Sequence, residues 1–455
     1  MALHAVNPAT GETVQTYDEM TPVEVGHIIT QAHQTFQDWK QTSCADRARM
    51  MQRAAHILRE NAHAYAVLMA QEMGKPVRDG RAEAEKCAWV CEYYAENAAV
   101  FLQPEVIPTE ARKSFVTFQP VGVVLAVMPW NFPFWQVFRF AAPALMAGNT
   151  GVLKHASNVP GCALAIEEVF RRAGFPDHAF RTLLIGSKDV EAVIEHPLVR
   201  AVTLTGSTPA GKAVASKAGA MIKKTVLELG GSDAYVVLED ADLEATVATC
   251  VASRLINAGQ SCIAAKRFVV VEAIRSRFED AFVTQMRQAT VGDPLDETTQ
   301  VGPLARHDLR ADLHHQVQAS LAKGAACLLG GTIPEGPGAY YPPTVLTQVS
   351  KGMPAYDEEL FGPVAAILAV PDEQEAIRVA NDSVFGLGAA VFTQDLAKGE
   401  HLAAHALEAG CCFVNAFVKS DPRLPFGGIK ESGYGRELSA YGIKEFVNIK
   451  TVFVQ

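Results

Sequence analysis

The fold is decided by residues 121–155, VGVVLAVMPWNFPFWQVFRFAAPALMAGNTGVLKH, where an apolar run, a polar turn, an amphipathic segment and a second apolar run follow one another. The same alternation continues as far as residue 229. We predict strands at 121–128, 151–153, 182–185, 201–205 and 225–229. The intervening helices are predicted at 134–146, 158–173, 189–195 and 210–218. Strands alternating with helices of this length imply βαβ units and a parallel sheet.

The segments on either side of this region differ from each other. The first hundred residues are predicted to be helical, with a capping box formed by Thr21 and Glu24 and helices at 46–60, 62–73 and 81–102. A second alternating stretch, from 235 to about 414, predicts another α/β domain with strands at 268–271, 326–329, 364–370 and 389–392. Residues 105–120 and 446–454 are polar or alternating and predict a β interaction surface.

Polar and turn-forming residues follow four of the predicted strands, at 129–133, 154–157, 205–208 and 228–231. Ligands of parallel α/β sheets bind at the carboxyl ends of the strands. We therefore expect the functional site at this edge of the sheet.

Composition excludes several classes of protein. The 455 residues are 49% hydrophobic and 20% charged, with a net charge of −10, which argues against binding to a nucleic acid backbone. The longest apolar run, 121–128, is far shorter than the roughly 18 residues that a membrane span needs. The N-terminus lacks the pattern of a signal peptide. The nine cysteines include no CxxC pair, so we expect reduced thiols, no metal site and a cytoplasmic location.

Cys262 follows the small polar stretch Gly259-Gln260-Ser261. A cysteine after such a turn, at the start of a helix, would have a lowered pKa and serve as a nucleophile. The alternative is an ordinary core cysteine.

Glu228 lies between two leucines at a predicted strand end. Burial would raise the pKa of its carboxyl group and suit it to general base catalysis. The alternative is an ion pair with Lys223 or Lys224. Asn131, in the rigid segment PWNFP, has an amide that could donate to an oxyanion, or could simply satisfy its own turn.

Seven motifs occur in an order that resembles the aldehyde dehydrogenase superfamily: PWNFP, LKHAS, TGSTPAG, LELGG, GQSC, EELFGPV and PFGGIKESGYGRE. The resemblance implies an α/β fold in three parts. It assigns 1–104 and 121–230 to a Rossmann-like NAD(P)-binding domain, 231–425 to the catalytic domain, and 105–120 with 436–455 to a small β oligomerisation element. A homodimer or homotetramer is implied.

The resemblance also assigns roles in the oxidation of a small aldehyde to a carboxylic acid. Cys262 would attack the aldehyde and form a thioester, Asn131 would hold the oxyanion, and Glu228 would activate the hydrolytic water. The implied residues for NAD or NADP are Trp130, Lys154, Ser157, Gly206, Ser207, Glu359 and Phe361. Without the resemblance, surface ion pairs (Lys154, Glu359), a plain turn (Gly206) and core packing (Trp130) remain the alternatives.

Cofactor choice depends on the stretch Lys154-His155-Ala156-Ser157. Members that prefer NAD commonly have an acid at the last position, where it binds the ribose hydroxyl groups. Ser157 removes the repulsion between that acid and a 2′-phosphate, so we expect NADP to be accepted, alongside NAD.

The branch that the chain resembles most is the bacterial succinate semialdehyde dehydrogenases. Arg139 lies six residues after PWNFP, where it would bind the substrate carboxylate together with Ser420. A second arginine found six residues before the nucleophile in some members is replaced by Ile256, and Arg254 lies nearby. A surface or interdomain ion pair is the alternative for Arg139. Alternative functions are oxidation of another small aldehyde, acyl transfer to coenzyme A, or an inactive structural or binding relative.

Overall fold

An antiparallel hairpin opens the computed structural model, which describes residues 2–455. Its strands are β1 (Ala2–Val6) and β2 (Thr13–Asp18). The prediction that the first hundred residues are entirely helical was therefore wrong. The hairpin was missed because β2 is short and largely exposed, so it lacks the apolar alternation of a half-buried strand.

Four helices follow the hairpin. The capping box is confirmed, because the Thr21 hydroxyl accepts from the Glu24 N–H at 3.3 Å and the Glu24 carboxylate accepts from the Thr21 N–H at 2.7 Å. The third helix ends at Gly74, which has a φ of +78°. The fourth begins four residues before the predicted position 81. The helices are α1 (Pro22–Trp39), α2 (Cys44–Glu60), α3 (Ala62–Met73) and α4 (Val77–Phe101).

The next region has the predicted alternation of strands and helices. The one clear shift is the strand predicted at 182–185, which lies at Phe180–Thr182. The elements are β3 (Glu105–Val106), β4 (Lys113–Pro120), β5 (Val123–Met128), α5 (Trp135–Met146), β6 (Thr150–His155), α6 (Pro160–Arg172), β7 (Phe180–Thr182), α7 (Val190–Glu195), β8 (Val199–Thr205), α8 (Thr208–Ala220) and β9 (Lys224–Glu228).

The remainder alternates in the same way up to residue 414 and then becomes irregular. Its elements are β10 (Ala234–Val237), α9 (Leu243–Leu255), β11 (Arg267–Val271), α10 (Arg275–Arg287), α11 (His307–Ala322), β12 (Ala326–Leu329), β13 (Thr344–Thr347), α12 (Pro354–Asp357), β14 (Val364–Val370), α13 (Glu373–Asn381), β15 (Phe385–Gly386), β16 (Gly388–Phe392), α14 (Leu396–His405), β17 (Cys411–Val414), β18 (Ile429–Lys430), β19 (Gly433–Tyr434), α15 (Ser439–Gly442) and β20 (Val447–Val454).

Two α/β sheets are the centre of the fold. The first has the order β19-β9-β8-β5-β6-β7 and is parallel except for β19. The second has the order β12-β13-β14-β11-β10-β16-β17 and is parallel except for β12. Strands β10, β11 and β16 are buried along their whole length, as expected for parallel strands covered on both faces.

A separate antiparallel sheet joins the two distant segments that were predicted to form an interaction surface. Its order is β20-β4-β3, and the pairing of β20 with β4 runs from Val447 opposite Pro120 to Val454 opposite Lys113. Between residues 2 and 455, no helix has both the length and the apolar character needed to cross a membrane.

Candidate functional site

The loop that carries Cys262 follows helix α9 and has an unusual backbone. Asn257 and Ala258 have φ values of 51° and 54°, and Gly259 has a φ of 75°. Two non-glycine residues in the left-handed region each cost on the order of 1–3 kcal/mol, so the surrounding structure must hold them in place. Cys262 lies in a turn after this segment. The expectation that it opens a helix was wrong.

Buried cations hold the loop by its backbone carbonyl groups. The Arg254 guanidinium donates to the carbonyl oxygen of Gly259 at 2.6 Å. The Lys266 ammonium donates to the carbonyl oxygens of Ser261 at 2.8 Å and Cys262 at 2.6 Å. A Cβ atom at Gly259 would lie 2.7 Å from the backbone nitrogen of Pro363, so only glycine allows this close approach.

The pKa of the Cys262 thiol is raised to about 12, chiefly because burial removes water from the thiolate. The charges of Lys266 and Arg139 oppose this shift without overcoming it. The prediction of a lowered pKa was therefore wrong for this structure. Its physical reason is the missing helix: the thiol is half-buried in a turn, with no helix N-terminus to stabilise the thiolate.

Asn131 lies in the loop after β5 and is linked directly to the nucleophile loop. Its side-chain amide donates to the carbonyl oxygen of Gln260 at 3.2 Å. In return, the Asn257 side chain donates to the carbonyl oxygen of Asn131 at 2.7 Å. Two motifs more than a hundred residues apart in sequence are thus brought together, with the Asn131 amide beside the backbone of residue 260.

Glu228 is the last residue of β9, and its side chain is 2% exposed. Neither carboxylate oxygen has a hydrogen-bond partner, and burial raises the pKa of the group well above its usual value, with Arg139 opposing the shift. The predicted rise in pKa is confirmed. The alternative ion pairs do not form: Lys223 donates to the carbonyl oxygens of Ile194 and His196, and Lys224 pairs with Glu445.

Two cavities meet at Cys262, which is the only residue of the described chain that lines both. Glu228 lines neither cavity. The larger, which we call the cofactor cleft, has a volume of about 400 Å³. It is lined by Pro129, Trp130, Asn131, Thr205, Gly206, Ser207, Leu229, Gly230, Cys262, Arg306, Leu309, Glu359 and Phe361.

Five of the seven residues predicted to bind a dinucleotide line the cofactor cleft. Ser207 occupies the N-cap position of helix α8, but its side chain makes no capping hydrogen bond. The backbone N–H groups at the start of the helix are therefore available to an anion. Trp130 and Phe361 face each other edge to face, with ring centroids 5.7 Å apart. The remaining two of the five are Gly206 and Glu359.

Glu359 is held at the boundary between the cofactor cleft and the nucleophile loop. One carboxylate oxygen accepts from the Gly231 N–H at 3.0 Å and lies 3.4 Å from the Lys266 ammonium. A Cβ atom at Gly230 would lie 2.5 Å from the other oxygen. The alternative of a surface ion pair for Glu359 was wrong, because its lysine partner is fully buried.

Lys154 and Ser157 lie at and beyond the end of β6, outside the lining of the cofactor cleft. Lys154 is 7% exposed, and burial lowers the pKa of its ammonium group. The alternative of a surface ion pair is excluded by this burial. Ser157 is exposed, so a group bound outside the strand end could reach it.

The second cavity, which we call the aldehyde cavity, has a volume of about 210 Å³. Both residues predicted to bind a substrate carboxylate, Arg139 and Ser420, line it. Ile256 lines it as well, whereas Arg254 does not. The full lining is Asp79, Ala82, Glu83, Lys86, Phe132, Trp135, Gln136, Arg139, Ile256, Asn257, Ser261, Cys262, Ile263, Phe417, Val418, Lys419, Ser420 and Phe426.

Arg139 does form an ion pair, as its alternative role required, but the pair is buried and not at the surface. Its guanidinium contacts the carboxylate of Glu437, and the two side chains are only 2% and 5% exposed. It also donates to the Thr205 hydroxyl at 3.3 Å and lies over the Phe426 ring, 4.7 Å from the centroid. Its charge therefore has a fixed protein partner.

Sequence reasoning missed Lys86 and its helix face. Asp79, Ala82, Glu83 and Lys86 follow one another at helical spacing on α4 and all line the aldehyde cavity. The sequence contains a signal for this face, because the charged residues Asp79, Glu83 and Lys86 recur at helical spacing within a segment that has many apolar residues. Within residues 2–455, no group of three side chains is arranged to hold a metal ion.

Comparison with known proteins agrees with this geometry. Residues 1–452 match the model of the "Aldehyde dehydrogenase family". The chain is 52% identical to a Synechocystis protein named "Probable succinate-semialdehyde dehydrogenase (NADP(+))", and 52% identical to a Paenarthrobacter nicotinovorans protein named "Aldehyde dehydrogenase"; both alignments cover 100% of each chain. A crystal structure of succinic semialdehyde dehydrogenase from Streptococcus pyogenes, in complex with NADP+, has a TM-score of 0.97, 38% identity and complete coverage of both chains.

Proposed function

Since this chain belongs to the aldehyde dehydrogenase family and is an NAD(P)-dependent aldehyde dehydrogenase, we propose that its substrate is succinate semialdehyde and that it accepts NADP as well as NAD. The observation that carries the proposal is the position of Cys262. Cys262 is the one described residue that lines both the cofactor cleft and the smaller aldehyde cavity, which holds basic side chains.

The first chemical step belongs to Cys262. The thiol first releases its proton to water; the thiolate then attacks the aldehyde carbon, and the carbonyl oxygen becomes an oxyanion. The Asn131 amide and the backbone N–H of Cys262 are the proposed donors to that oxyanion. NAD(P), held in the cofactor cleft, would supply the hydride acceptor for this carbon. The carbon then remains attached to the sulfur of Cys262 as a thioester.

Hydrolysis of the thioester is assigned to Glu228. Water adds to the acyl carbon, its proton passes to Glu228, and the Cys262 thiolate leaves as the carboxylic acid is released. Two features support this role: both carboxylate oxygens of Glu228 lack partners, and its raised pKa suits a base that works near neutral pH. Because Glu228 does not line either cavity, the proposal requires one intervening water or a rotation of its side chain.

The residues present fit a dinucleotide. The uncapped start of α8 offers backbone N–H groups to a pyrophosphate, and Lys154 is a buried cation for which no ion pair occurs in residues 2–455. We propose that Gly206 and Ser207 contact the pyrophosphate, Lys154 and Ser157 the adenine-side ribose, and Glu359 the nicotinamide-side ribose. Trp130 and Phe361 would line the nicotinamide end.

NADP use is supported by two observations. Ser157 is exposed and carries no negative charge, so it does not repel a 2′-phosphate. The similar Synechocystis protein is named as an NADP(+) enzyme, and the similar Streptococcus enzyme was crystallised in complex with NADP+ as the cofactor. We expect measurable turnover with NADP at millimolar concentration, and its absence would contradict this part of the proposal.

Succinate semialdehyde is supported by the size and charge of the aldehyde cavity. Its volume of about 210 Å³ is smaller than the roughly 300–1,000 Å³ of pockets for drug-sized ligands, which favours a substrate of a few carbon atoms. Lys86, Arg139 and the Ser420 hydroxyl in its wall suit a substrate that ends in a carboxylate.

The test is a substrate panel measured with each cofactor. We expect kcat/KM to be highest for succinate semialdehyde and clearly lower for neutral aldehydes of similar length, such as pentanal. A neutral aldehyde used equally well would overturn the substrate assignment. Rates that depend on added coenzyme A would indicate acyl transfer, and no reduced cofactor with any aldehyde would indicate an inactive relative.

A homodimer or homotetramer is also proposed. The sheet of β3, β4 and β20 presents exposed apolar side chains, including Val106, Ile449 and Phe453, which are the kind of surface a second copy would cover. All nine cysteines are free thiols, which fits the proposed cytoplasmic location. Light scattering after size-exclusion chromatography would measure the mass, and a monomer at micromolar concentration would contradict the proposed assembly.

A further inference from the structure

We propose that the Lys86 ammonium, together with the Ser420 hydroxyl, supplies the main charged contact to the substrate carboxylate in the aldehyde cavity. The inference rests on the proposed oxidation of an aldehyde that carries a carboxylate, and it names the residue that selects for that group.

Lys86 is a cation with free hydrogen-bonding capacity. Its ammonium donates one hydrogen bond, to the Ser420 hydroxyl at 2.8 Å, and lies 4.2 Å from the centroid of the Trp135 ring. An ammonium group has three donors, so two remain for a ligand. Among residues 2–455, no carboxylate forms an ion pair with it. Lys86 is half-buried, so part of the desolvation cost of its charge is not offset by a carboxylate partner, and a bound anion would reduce that cost.

Arg139 differs from Lys86 because it already has a carboxylate partner. The charge of Arg139 is already matched by the contacting carboxylate of Glu437, and its guanidinium is also engaged by Thr205 and by the ring of Phe426. Binding a second carboxylate there would place two negative groups beside one arginine. The charge of Arg139 is therefore offset within the protein by Glu437, whereas Lys86 has the donors to contact the substrate.

The acidic groups around Lys86 are occupied elsewhere. Glu83 accepts from the backbone N–H groups of Phe134 and Trp135, each at 2.9 Å, and contacts the buried ammonium of Lys75. Asp421 pairs with Arg423 at 2.7 Å.

Asp79, the remaining acid of the lining, lies 3.3 Å from Arg78. Burial is the main cause that lowers the pKa of Lys86 to about 8; the charge of Arg139 adds to the shift, and Glu83 and Asp421 oppose it, so a bound anion would stabilise the charged form of Lys86. The local electrostatics therefore favour an anionic ligand at Lys86.

The placement of Ser420 explains why the two groups act together. Ser420 is 5% exposed and its hydroxyl accepts from Lys86, so its own hydrogen is free to donate. A carboxylate with two oxygens could accept from the ammonium and from the hydroxyl at once. The cavity wall also includes the aromatic rings of Phe132, Trp135 and Phe417, which offer apolar surface to the carbon chain.

The kinetic test compares three variants of the full-length enzyme. Lys86→Met keeps the length of the side chain and removes its charge, and Lys86→Arg keeps the charge. Lys419→Met removes a charge from an exposed lysine of the same cavity and serves as the matched control.

Loss of a charged hydrogen bond predicts a rise of about ten- to a hundredfold in KM for succinate semialdehyde in Lys86→Met, with a smaller rise in Lys86→Arg. The kcat/KM for pentanal should stay within about threefold of the wild type, which also shows that the variant is folded.

A second test does not depend on turnover. Succinate should protect the Cys262 thiol from alkylation by iodoacetamide in the wild-type enzyme. The succinate concentration that gives half-protection should be at least about tenfold higher in Lys86→Met than in the wild type. Protection by valeramide, a neutral molecule, should be the same in both proteins.

The outcomes separate this inference from the proposed function. If the wild type prefers succinate semialdehyde but Lys86→Met keeps its KM, or if Lys419→Met raises KM as much as Lys86→Met does, the role of Lys86 is overturned and the function stands. If the wild type shows no preference for succinate semialdehyde over pentanal, the proposed substrate itself is wrong.

Discussion

Arg139 and Glu437 form an ion pair that is almost completely removed from water, and both charges act on Glu228. The Arg139 side chain is 2% exposed and that of Glu437 is 5% exposed. Arg139 lowers the pKa of Glu228, whereas Glu437 and burial raise it. The helix α5 that carries Arg139 and the C-terminal segment that carries Glu437 are thereby linked beside the proposed base.

Breaking this pair should destabilise the protein strongly. Glu437→Gln leaves the Arg139 charge buried without a counter-charge, which costs about 3–5 kcal/mol of unfolding free energy. Glu431→Gln is the matched control, because Glu431 pairs with Lys212 at the surface and its loss should cost no more than about 1 kcal/mol. Urea-induced unfolding measures both. Equal effects of the two substitutions would show that the buried pair contributes no special stability.

Glu228→Gln should separate the two halves of the reaction. An amide cannot accept the proton of the attacking water, so thioester hydrolysis should slow by about 10²–10⁴-fold, while hydride transfer continues. Stopped-flow absorbance should show a rapid burst of one reduced cofactor per active site, followed by slow turnover. A steady slow rate without a burst would contradict the assignment of Glu228 as the hydrolytic base.

The stability of the protein should carry a pH signature of Glu228. In the folded state the pKa of this carboxyl is raised by burial, so the folded protein holds a proton that the unfolded chain has released. Stability is therefore lost as pH rises from the ordinary carboxyl pKa towards the raised value. The melting temperature of the wild type should fall relative to that of Glu228→Gln over this range. A difference that does not change with pH would contradict the raised pKa.

Asn131→Ala should slow the first half of the reaction. The loss of one donor to an oxyanion costs about 10²–10³-fold in kcat. Because the burst in Glu228→Gln reports hydride transfer, the double variant Asn131→Ala with Glu228→Gln should show a burst that is slower by the same factor. Affinity for NADP, measured by fluorescence quenching, is the control and should be unchanged. An unaltered burst rate would remove Asn131 from the oxyanion site.

Ser157→Glu should move cofactor preference away from NADP. A carboxylate at this exposed position would repel a 2′-phosphate and could accept hydrogen bonds from the ribose hydroxyl groups of NAD. We expect kcat/KM with NADP to fall by about tenfold or more, in line with a lost charged contact. The kcat/KM with NAD should stay the same or rise. Ser157→Ala is the control, since it adds no charge. An equal loss of kcat/KM with both cofactors would mean that residue 157 does not distinguish a 2′-phosphate from a 2′-hydroxyl group.

Most of the sheet region could be predicted from the sequence, because buried parallel strands such as β5 and β11 are continuous apolar runs bounded by turn residues. The N-terminal hairpin could not, since its second strand is exposed and follows no apolar pattern. The rise in the pKa of Glu228 followed from its two leucine neighbours.

The pKa of Cys262 did not follow from its neighbours, because it is set chiefly by burial of the thiol, which depends on segments far from residue 262 in the chain. The pairing of Arg139 with Glu437 joins residues far apart in the chain, so it too could not be inferred from local sequence.

Among the described residues, Cys262 lines both cavities, and the two cavities have no other lining residue in common. The specificity for the aldehyde and the specificity for the dinucleotide therefore depend on separate sets of side chains. Apart from the hydrogen bonds of Asn257 with Asn131 and of Arg139 with Thr205, which join the two sets, substitutions in one set leave the other in place, so each specificity can diverge in evolution or be redesigned separately.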